Sequence, residues 1–336
     1  MKAMRRFAAL LILLAVVAGG AAVYLGSRLS RPYEGFSEPV LIEFPRGTST
    51  SRMASMLADH GVIEHPWLFL AARVFQRGAR LQAGEYQFKN AASPLDVYGR
   101  IVRGDIYYME LLVPEGFNMF DIAGAVAKLG TVSAANFMAA ARDPSLIRDL
   151  DPAATTLEGY LFPDKYHVYR KTTAHEICRM MTNEFRARWQ TVAAQHAGVT
   201  PHDVVTMASL VEREAKLPEE RPRVSSVFHN RLRIGMRLQC DPTTVYAALV
   251  ENRYRGVIHQ SDLESQNPYN TYQHAGLPPG PIANPGLSSL QAAVEPEETP
   301  YLYFVAKADG SGGHNFSDSL HQHDAAVALY HRATGH

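Results

Sequence analysis

The first thirty residues of the chain are strongly apolar. The run over residues 7–26 carries no charge and is long enough for a helix to cross a bilayer. Three basic residues precede it: Lys2, Arg5 and Arg6. This bias favours a cytoplasmic N-terminus and an exported body. A cleaved signal peptide is the alternative, but its apolar core is usually shorter than this run. We therefore expect an uncleaved anchor over residues 1–30, followed by a linker over 31–39.

Beyond the linker, short strand-like alternations and helical spacings follow one another. Strands are predicted at 40–44, 84–88 and 106–113, and helices at 48–60, 66–76 and 94–102. From residue 131 the pattern becomes mainly helical, with helices predicted at 133–142, 172–196, 202–217 and 219–233. The C-terminal part adds a strand at 301–306, a loop at 309–317 and a final helix at 321–332. The expected fold class is α+β, with a small α+β domain over 40–130 and a larger, mainly helical domain over 131–336.

The small domain contains an internal repeat. "FPRGTSTSRMASMLADHG" begins at Phe44, and "VPEGFNMFDIAGAVAKLG" begins at Val113. Each copy has the pattern of a strand end, a tight Pro-x-Gly turn and an amphipathic helix closed by glycine. Two structurally similar β-turn-α units are one interpretation. A glycan-binding module of the LysM kind is the other.

Two glutamates interrupt a stretch that otherwise has the pattern of a buried helix, "HDVVTMASLVEREAKLP", at residues 202–218. Thr200 suits the N-cap, Pro201 suits the first helical position, and a proline at 218 ends the helix. At about 100° per residue, Glu212 falls on the apolar face. Glu214 lies about 200° further round the helix, so we expect it to be solvated.

A carboxyl group on a buried face must be paired or protonated, because an isolated charge there is costly. One interpretation of Glu212 is therefore an ion pair with an arginine such as Arg223, Arg231 or Arg237. The other is a carboxylic acid that keeps its proton through desolvation and donates it to a glycosidic oxygen.

Aromatic and polar side chains are mixed in three further stretches, at residues 157–168, 227–246 and 267–286, and in a glycine-rich turn near 312–316. Such mixtures suit stacking on sugar rings and hydrogen bonds to their hydroxyl groups. The candidate substrate-binding residues are Glu158, Tyr160, Phe162, Asp164, Tyr166, Asn230, Arg231, Gln239, Asp241, Asn270, Tyr272 and His314. A turn at Asp241–Pro242, a helix cap at Asn230 and a turn histidine at 314 are the structural alternatives.

Charge and metal-binding residues narrow the choice of function. Lys+Arg and Asp+Glu both number 33, so no basic excess points to nucleic acid. Cys178 and Cys240 lack the spacing of a metal site, and either a disulfide or two separate buried thiols would fit. His321 and His323 stand two positions apart and would not face each other on a helix. We expect no metal and no cofactor.

The motifs in their order resemble the YceG-like (MltG) family of endolytic murein transglycosylases. They are "EGYLFPDKY", "MASLVEREA", "VFHNRLRIGMRLQCDPTTVY", "YNTYQHAGLPPGPIANPG" and "TPYLYFVAKADGSGGHNFS". The resemblance covers nearly the whole chain, including a LysM-like N-terminal part. Lys165 and Cys240 stand where the family usually has threonine.

The resemblance implies a single-pass inner-membrane enzyme whose body lies in the periplasm. It would cut nascent peptidoglycan strands internally, between N-acetylmuramic acid (MurNAc) and N-acetylglucosamine (GlcNAc), and so terminate strand elongation. The resemblance also implies that Glu212, the first glutamate of "VEREA", is the catalytic residue. Peptidoglycan strands and the membrane would be the partners, with peptidoglycan synthases as candidates.

In such a reaction one carboxyl group protonates the glycosidic oxygen and then takes the proton of the MurNAc 6-hydroxyl. The product is a 1,6-anhydro end, and no water is consumed. A muramidase-type hydrolase is the nearest alternative and would need a second carboxylate, for which Asp164 and Asp241 are candidates. A membrane-anchored peptidoglycan-binding scaffold is the non-enzymatic alternative, and a metalloenzyme using the C-terminal histidines is a third.

Overall fold

A computed structural model describes residues 2–76, 78–196 and 198–335. The chain divides into an N-terminal unit, Met1–Tyr108, and a C-terminal unit, Met109–His336. The elements of the N-terminal unit are α1 Lys2–Ser30, β1 Val40–Phe44, α2 Thr50–Asp59, α3 Pro66–Phe75, β2 Gly84–Phe88 and α4 Pro94–Arg103. Both predicted strands of this unit and its three predicted helices after the anchor are found, with ends within two residues of the prediction.

The core of the N-terminal unit lies between its hairpin and its helices. β1 and β2 pair antiparallel, with Ile42 opposite Tyr86. Alternate strand residues point to the same face, so Ile42, Phe44, Tyr86 and Phe88 are all buried together. Helices α2, α3 and α4 supply the other side of this core.

Helix α1 is apolar and exposed over most of its length, and its C-terminal end belongs to the N-terminal unit. Among the described residues, it is the one helix long and apolar enough to cross a membrane. Leu29 is fully buried in the core of this unit, and Leu25 packs against that core. The predicted linker also contacts the unit, since Tyr33 and Ala92 exchange backbone hydrogen bonds of 3.1 and 3.2 Å.

The C-terminal unit is mainly helical. Its elements are β3 Met109–Leu112, α5 Met119–Lys128, α6 Ala134–Ala141, β4 Lys165–Val168, α7 Ala174–Ala193, α8 Pro201–Glu214, α9 Arg221–Arg233, α10 Asp241–Val250, α11 Gln260–Leu263, α12 Leu287–Val294, β5 Tyr303–Ala306, β6 His314–Ser317 and α13 Leu320–Thr334. Short 3₁₀ helices at Pro144–Leu146 and Pro218–Glu220 complete the set. The mixed α+β class is confirmed.

The unit boundary differs from the expected domain boundary at residue 130. β3 pairs antiparallel with β4, Met109 opposite Val168, and α5 packs against α6. These contacts place the second copy of the repeat in the C-terminal unit. The two copies therefore share a local pattern and contribute to different cores.

One structural alternative and one local prediction in the C-terminal unit were wrong. Asp241–Pro242 begins α10 rather than forming a turn, because proline fits the first turn of a helix as well as it fits a turn. Residues 314–317 form β6 rather than a loop, because Phe316 lies opposite Phe304 in an antiparallel pair with β5. Strand β4 and helix α12 were not predicted.

Helix α8 is the centre of the C-terminal unit. All residues from Val204 to Val211 are buried, and α12 and α9 are its main helical neighbours. Thr200 occupies the N-cap position, but its side chain makes no capping hydrogen bond. Ala215 has extended backbone angles (φ −81°, ψ 105°), which end the helix at Glu214 rather than at the predicted residue 217.

Candidate active site

The C-terminal end of α8 carries both glutamates. Glu212 is buried, as its position on the apolar face predicted, and its carboxylate accepts three hydrogen bonds. Arg221 donates to Oε1 at 3.0 Å, the Gly286 backbone N–H donates to Oε2 at 3.0 Å, and the Ser289 hydroxyl donates to Oε2 at 2.7 Å. Gly286 is the N-cap residue of α12, and Ser289 lies in its first turn. The positive end of α12 and the Arg221 guanidinium both favour a negative charge at this point.

A second carboxylate reaches the same arginine. Glu115, in the Pro-Glu-Gly turn of the second repeat copy, accepts a hydrogen bond of 3.0 Å from Arg221. Its carboxylate packs against Gly286, where even a Cβ atom would lie 1.9 Å from Glu115 Oε1. A glycine at 286 is therefore needed for this contact. Glu212 therefore forms an ion pair, one of the two interpretations that the sequence left open, and its partner is Arg221 rather than Arg223, Arg231 or Arg237.

Glu214 was expected to be solvated, and this expectation was wrong. Burial raises the pKa of Glu214, and the nearby Asp241 carboxylate raises it further. The Cys240 thiol donates to Glu214 Oε1 at 3.1 Å, which opposes the shift, as do the charges of His314 and Arg213. The last helical turn, with its unpaired carbonyl groups, is also an unfavourable place for a negative charge. Glu214 therefore keeps its proton to a higher pH than a solvated glutamate.

Several predicted site residues surround Glu214. Asp241 is exposed and accepts a hydrogen bond of 2.6 Å from the Tyr272 hydroxyl. Burial raises the pKa of Tyr272, and Asp241, Cys240 and Glu214 raise it further. Gln239, one residue before Cys240, is exposed and has φ +48°, a left-handed conformation that is costly for a residue other than glycine. The structure thus brings Gln239, Asp241 and Tyr272 together with Glu214.

His314 joins the same group through Glu220. Glu220 accepts hydrogen bonds from the His314 backbone N–H at 3.0 and 3.1 Å. The Glu220 carboxylate also lies 2.8 Å from His314 Nδ1, and both side chains are largely buried. This contact fixes the ring orientation of His314 close to Glu214.

Most of the other predicted binding residues are buried and hold the surrounding backbone. Asn230 donates to the carbonyls of residues 299 and 301, Arg231 to those of 237, 238 and 302, and Asn270 to those of 262, 263 and 265. These three side chains shape the loops around α8.

The aromatic stretch over 157–168 behaves similarly. The hydroxyl groups of Tyr160 and Tyr166 are bonded to Asp151 and to the Phe162 carbonyl. Tyr160, Phe162 and Tyr166 are all buried, whereas Asp164 is exposed and accepts a hydrogen bond from the Lys165 N–H.

Glu158 is a second carboxyl group with a perturbed pKa. Burial raises its pKa to about 8, against the opposing hydrogen bond from the Met119 N–H. Met119 begins α5, so Glu158 satisfies one of the free N–H groups of that helix, and Asn284 donates to it at 2.9 Å. This carboxyl group is enclosed and supports the fold.

Sequence reasoning missed Glu115, Arg221, Ser289 and Glu220. Glu115 follows a proline in the predicted Pro-x-Gly turn, and Glu220 lies in the first turn of the helix predicted at 219–233. Arg221 was passed over for three arginines further along the same segment. Only the approach of distant segments gives these residues a role. Within the described part of the chain, no group of three or more His, Cys, Asp or Glu residues is arranged to hold a metal ion, and both cysteines are buried free thiols.

The chain combines an apolar N-terminal helix, a small α+β unit and a mainly helical unit in which a buried helix ends with two glutamates. The chain belongs to the YceG-like family, whose sequence model matches residues 42–329.

Similar proteins agree with this assignment. The chain is 34% identical over 334 residues to the endolytic murein transglycosylase of Bacillus subtilis (strain 168), covering 94% of this chain and 91% of that protein. It is 28% identical over 321 residues to the endolytic murein transglycosylase of Streptococcus pneumoniae serotype 2 (strain D39), covering 86% of this chain and 58% of that protein. The crystal structure of a YceG-like protein from Listeria monocytogenes matches with a TM-score of 0.57 and 32% identity, covering 86% of this chain and 99% of that one.

Proposed function

We propose that this protein is an endolytic murein transglycosylase. It cleaves the bond between MurNAc and GlcNAc inside nascent peptidoglycan strands, leaves 1,6-anhydroMurNAc ends and so terminates strand elongation. Membership of the YceG-like family and the names of the two relatives support this function. The observation that carries the proposal is the geometry at the end of α8, where Glu214 lies 3.1 Å from the Cys240 thiol and near the exposed Asp241, in surroundings that raise its pKa.

Glu214 is the general acid that this geometry favours. It protonates the glycosidic oxygen as the leaving group departs. Its carboxylate then takes the proton of the MurNAc 6-hydroxyl group while the oxygen of that hydroxyl attacks the anomeric carbon. Glu212, which the sequence suggested for this role, is the second candidate. It is disfavoured because its two oxygens already accept three hydrogen bonds, one of them from Arg221. A group held in this way is poorly placed to give up a proton and take it back.

Gln239, Asp241, Tyr272 and His314 are the predicted binding residues best placed to contact the glycan next to Glu214. The two exposed side chains, Gln239 and Asp241, offer an amide and a carboxylate for sugar hydroxyl groups. The buried members of the predicted set, such as Asn230 and Asn270, act indirectly by holding the loops that carry these groups.

A muramidase-type hydrolase is the second candidate function, and one observation favours it. Asp241 lies close enough to Glu214 to raise its pKa, so a second carboxylate is present beside the acid. In a hydrolase, such a group acts as the nucleophile or activates water. The two functions leave different ends, since hydrolysis adds a water molecule and transglycosylation does not.

Helix α1 anchors the protein in the inner membrane, with the N-terminus in the cytoplasm and both units in the periplasm. Its length and apolar character support a membrane span, and the basic residues before it support the orientation. The βααβ order of the N-terminal unit fits the proposed LysM-like role in holding glycan. Peptidoglycan synthases are the candidate protein partners.

The test uses the full chain in detergent with uncrosslinked peptidoglycan strands. Wild type, Glu214→Gln and Glu212→Gln are compared by mass spectrometry of the new chain ends. Ends lighter by one water molecule, formed by wild type and by Glu212→Gln but lost in Glu214→Gln, are the expected result. Reducing ends would mean a hydrolase. Loss of activity only in folded Glu212→Gln would return the acid role to Glu212, and no new ends from folded wild type would favour the binding scaffold.

A further inference from the structure

Helix α3 of the N-terminal unit exposes an apolar strip, with the exposed Arg73 at its border. The large residues of this strip, with their exposed fractions, are Trp67 (43%), Leu70 (37%), Val74 (78%) and Phe75 (56%). Positions separated by three, four, seven and eight residues share one face of a helix. The opposite side, with Leu68, Phe69 and Ala72, is buried in the core. We call the exposed set the α3 face. Single exposed apolar residues are common, but a contiguous apolar patch marks an interaction surface.

The start of α3 is held against the end of the anchor helix. Arg28, in the last turn of α1, forms an ion pair with Glu64, which lies two residues before Pro66. Leu25 and Leu29 of α1 pack into the same core as Leu68 and Phe69 of α3. Helices α1 and α3 are also in direct contact. The path from the anchor to the α3 face is therefore short and packed.

The length of α1 determines how far the Arg28–Glu64 ion pair lies from the hydrocarbon core of the bilayer. A run over residues 7–26 at 1.5 Å per residue covers about 30 Å, the thickness of the hydrocarbon core. Arg28 is two residues beyond that run, which places its ion pair with Glu64 about 3 Å outside the hydrocarbon. The first turn of α3, with Trp67, begins at the same contact. Tryptophan favours this interfacial level because its ring is apolar and its N–H is polar.

We propose that the α3 face is a membrane-contacting surface, inserted among the lipid headgroups of the bilayer that α1 crosses. The surface lies beside the end of the anchor and gives the N-terminal unit a second attachment point. A helix with one apolar face can lie in the interface plane without spanning the bilayer. The proposal rests on the membrane anchoring described above and is independent of the chemistry assigned to Glu214.

The two tryptophans of the chain, Trp67 and Trp189, provide the test. Trp189 is buried in the C-terminal unit. The full chain is reconstituted in vesicles whose lipids carry bromine either near the headgroups or deep in the acyl chains. The fluorescence of Trp67 is obtained by subtracting the emission of the Trp67→Phe variant, which retains only Trp189, from the emission of wild type. We expect shallow bromines to lower the Trp67 signal at least about twofold, as an interfacial ring requires, and deep bromines to lower it less. The Trp189 signal should not change.

A pair of variants tests the whole face. Leu70→Glu combined with Val74→Glu places two charges on it and should abolish the quenching of Trp67. Leu41→Glu is the matched control, because Leu41 is an exposed apolar residue (36%) on β1 outside the α3 face. It should leave the quenching unchanged. Equal effects of the two changes would overturn the proposal.

Flotation of the same vesicles in high salt separates the outcomes. Protein that floats while Trp67 is not quenched overturns the α3 surface and leaves the anchor intact. Trp67 fluorescence that depends on the protein density in the vesicle, and not on the brominated lipids, would mean that a second copy of the chain covers the α3 face. That result also overturns the proposal. Protein that fails to float with the vesicles would contradict both the membrane anchor and the α3 membrane surface. The chain-end assay on soluble strands is unaffected in each case.

Discussion

Two glutamates at the end of α8, Glu212 and Glu214, have carboxyl groups in opposite electrostatic surroundings. Around Glu212, the first turn of α12 and Arg221 supply donors and positive charge. Around Glu214, the surroundings offer burial, the negative Asp241 and a weak thiol donor. The first region supplies donors and a positive charge to its carboxyl group, and the second raises the pKa of its carboxyl group. Glu212 and Glu214 are two positions apart on the helix, a rotation of about 200°, and this separation places their carboxyl groups in different surroundings.

The difference shows why burial by itself does not identify a catalytic acid. Glu158 is buried, and Glu212 and Glu214 are largely covered, yet the three carboxyl groups differ in their partners. A general acid needs a held proton together with access to substrate. Glu158 has a raised pKa but is enclosed below the start of α5. Glu212 stands beside Glu115, whose side chain is 46% exposed, and Glu214 combines an exposed neighbour, Asp241, with a raised pKa.

The largest effect is expected for Glu214→Gln. Glutamine has the shape of the protonated acid but cannot donate, so turnover should fall about 10²–10⁴-fold while the fold remains. Rates of chain-end formation, with circular dichroism to monitor folding, measure this effect. Glu212→Gln is the matched control two residues away. Wild-type activity should also decline as pH rises through the raised pKa of Glu214, because the acid form is lost. Turnover within tenfold of wild type in Glu214→Gln would contradict the assignment.

The next largest effect is expected for Arg221→Met, which removes the charge between Glu212 and Glu115. A buried carboxylate without its partner should lower the free energy of unfolding by about 3–5 kcal/mol. Denaturant unfolding of the full chain in micelles measures this loss. Arg223→Met is the control, because Arg223 pairs with Glu297 where the side chains are 39% and 40% exposed. It should lose less than about 1 kcal/mol. Similar losses in both variants would show that the site at Glu212 is not a held charge.

Glu158→Gln should change how stability depends on pH. Burial raises the pKa of Glu158 to about 8, so between pH 4.5 and 8 the folded protein keeps a proton that the unfolded chain has lost. This contribution is complete below pH 4.5 and disappears as pH rises, with a slope of at most about 1.4 kcal/mol per pH unit.

The difference between wild type and Glu158→Gln, followed by denaturant unfolding at several pH values, isolates that slope. Glu110→Gln, at a half-exposed side chain, is the control and should show no such difference. A wild-type stability that rises relative to Glu158→Gln across this range would contradict the sign.

The smallest effect is expected for Glu212→Gln. The amide oxygen can still accept from the first turn of α12, and Arg221 keeps Glu115, so unfolding should be easier by about 1–3 kcal/mol. Activity should stay within about tenfold of wild type, since positioning rather than proton transfer is disturbed. Glu115→Gln should cost still less because that carboxylate is 46% exposed. The combined variant would show by double-mutant analysis whether the two carboxylates act through Arg221.

Elements set by neighbours in the sequence were predictable. The ends of β1, β2 and α3 followed from alternation, from helical spacing and from Pro66 at a first helical position. The buried position of Glu212 followed from helical phase. Elements that depend on distant partners were missed. β4 exists because residues 165–168 pair with residues 109–112. The solvated position expected for Glu214 was wrong because residues 240, 241, 272 and 314 cover that side of α8.

The sequence by itself determined the apolar N-terminal segment, the α+β class, the family and the helix that carries both glutamates. Each of these depends on composition, local periodicity or an ordered set of motifs. Only the tertiary structure decided that Arg221 and Glu115 belong to Glu212, and that Glu214 lies in a buried, proton-holding environment. The physical reason is that the state of a carboxyl group depends on the charges and donors within a few ångströms. Here those groups come from segments many residues apart in the chain.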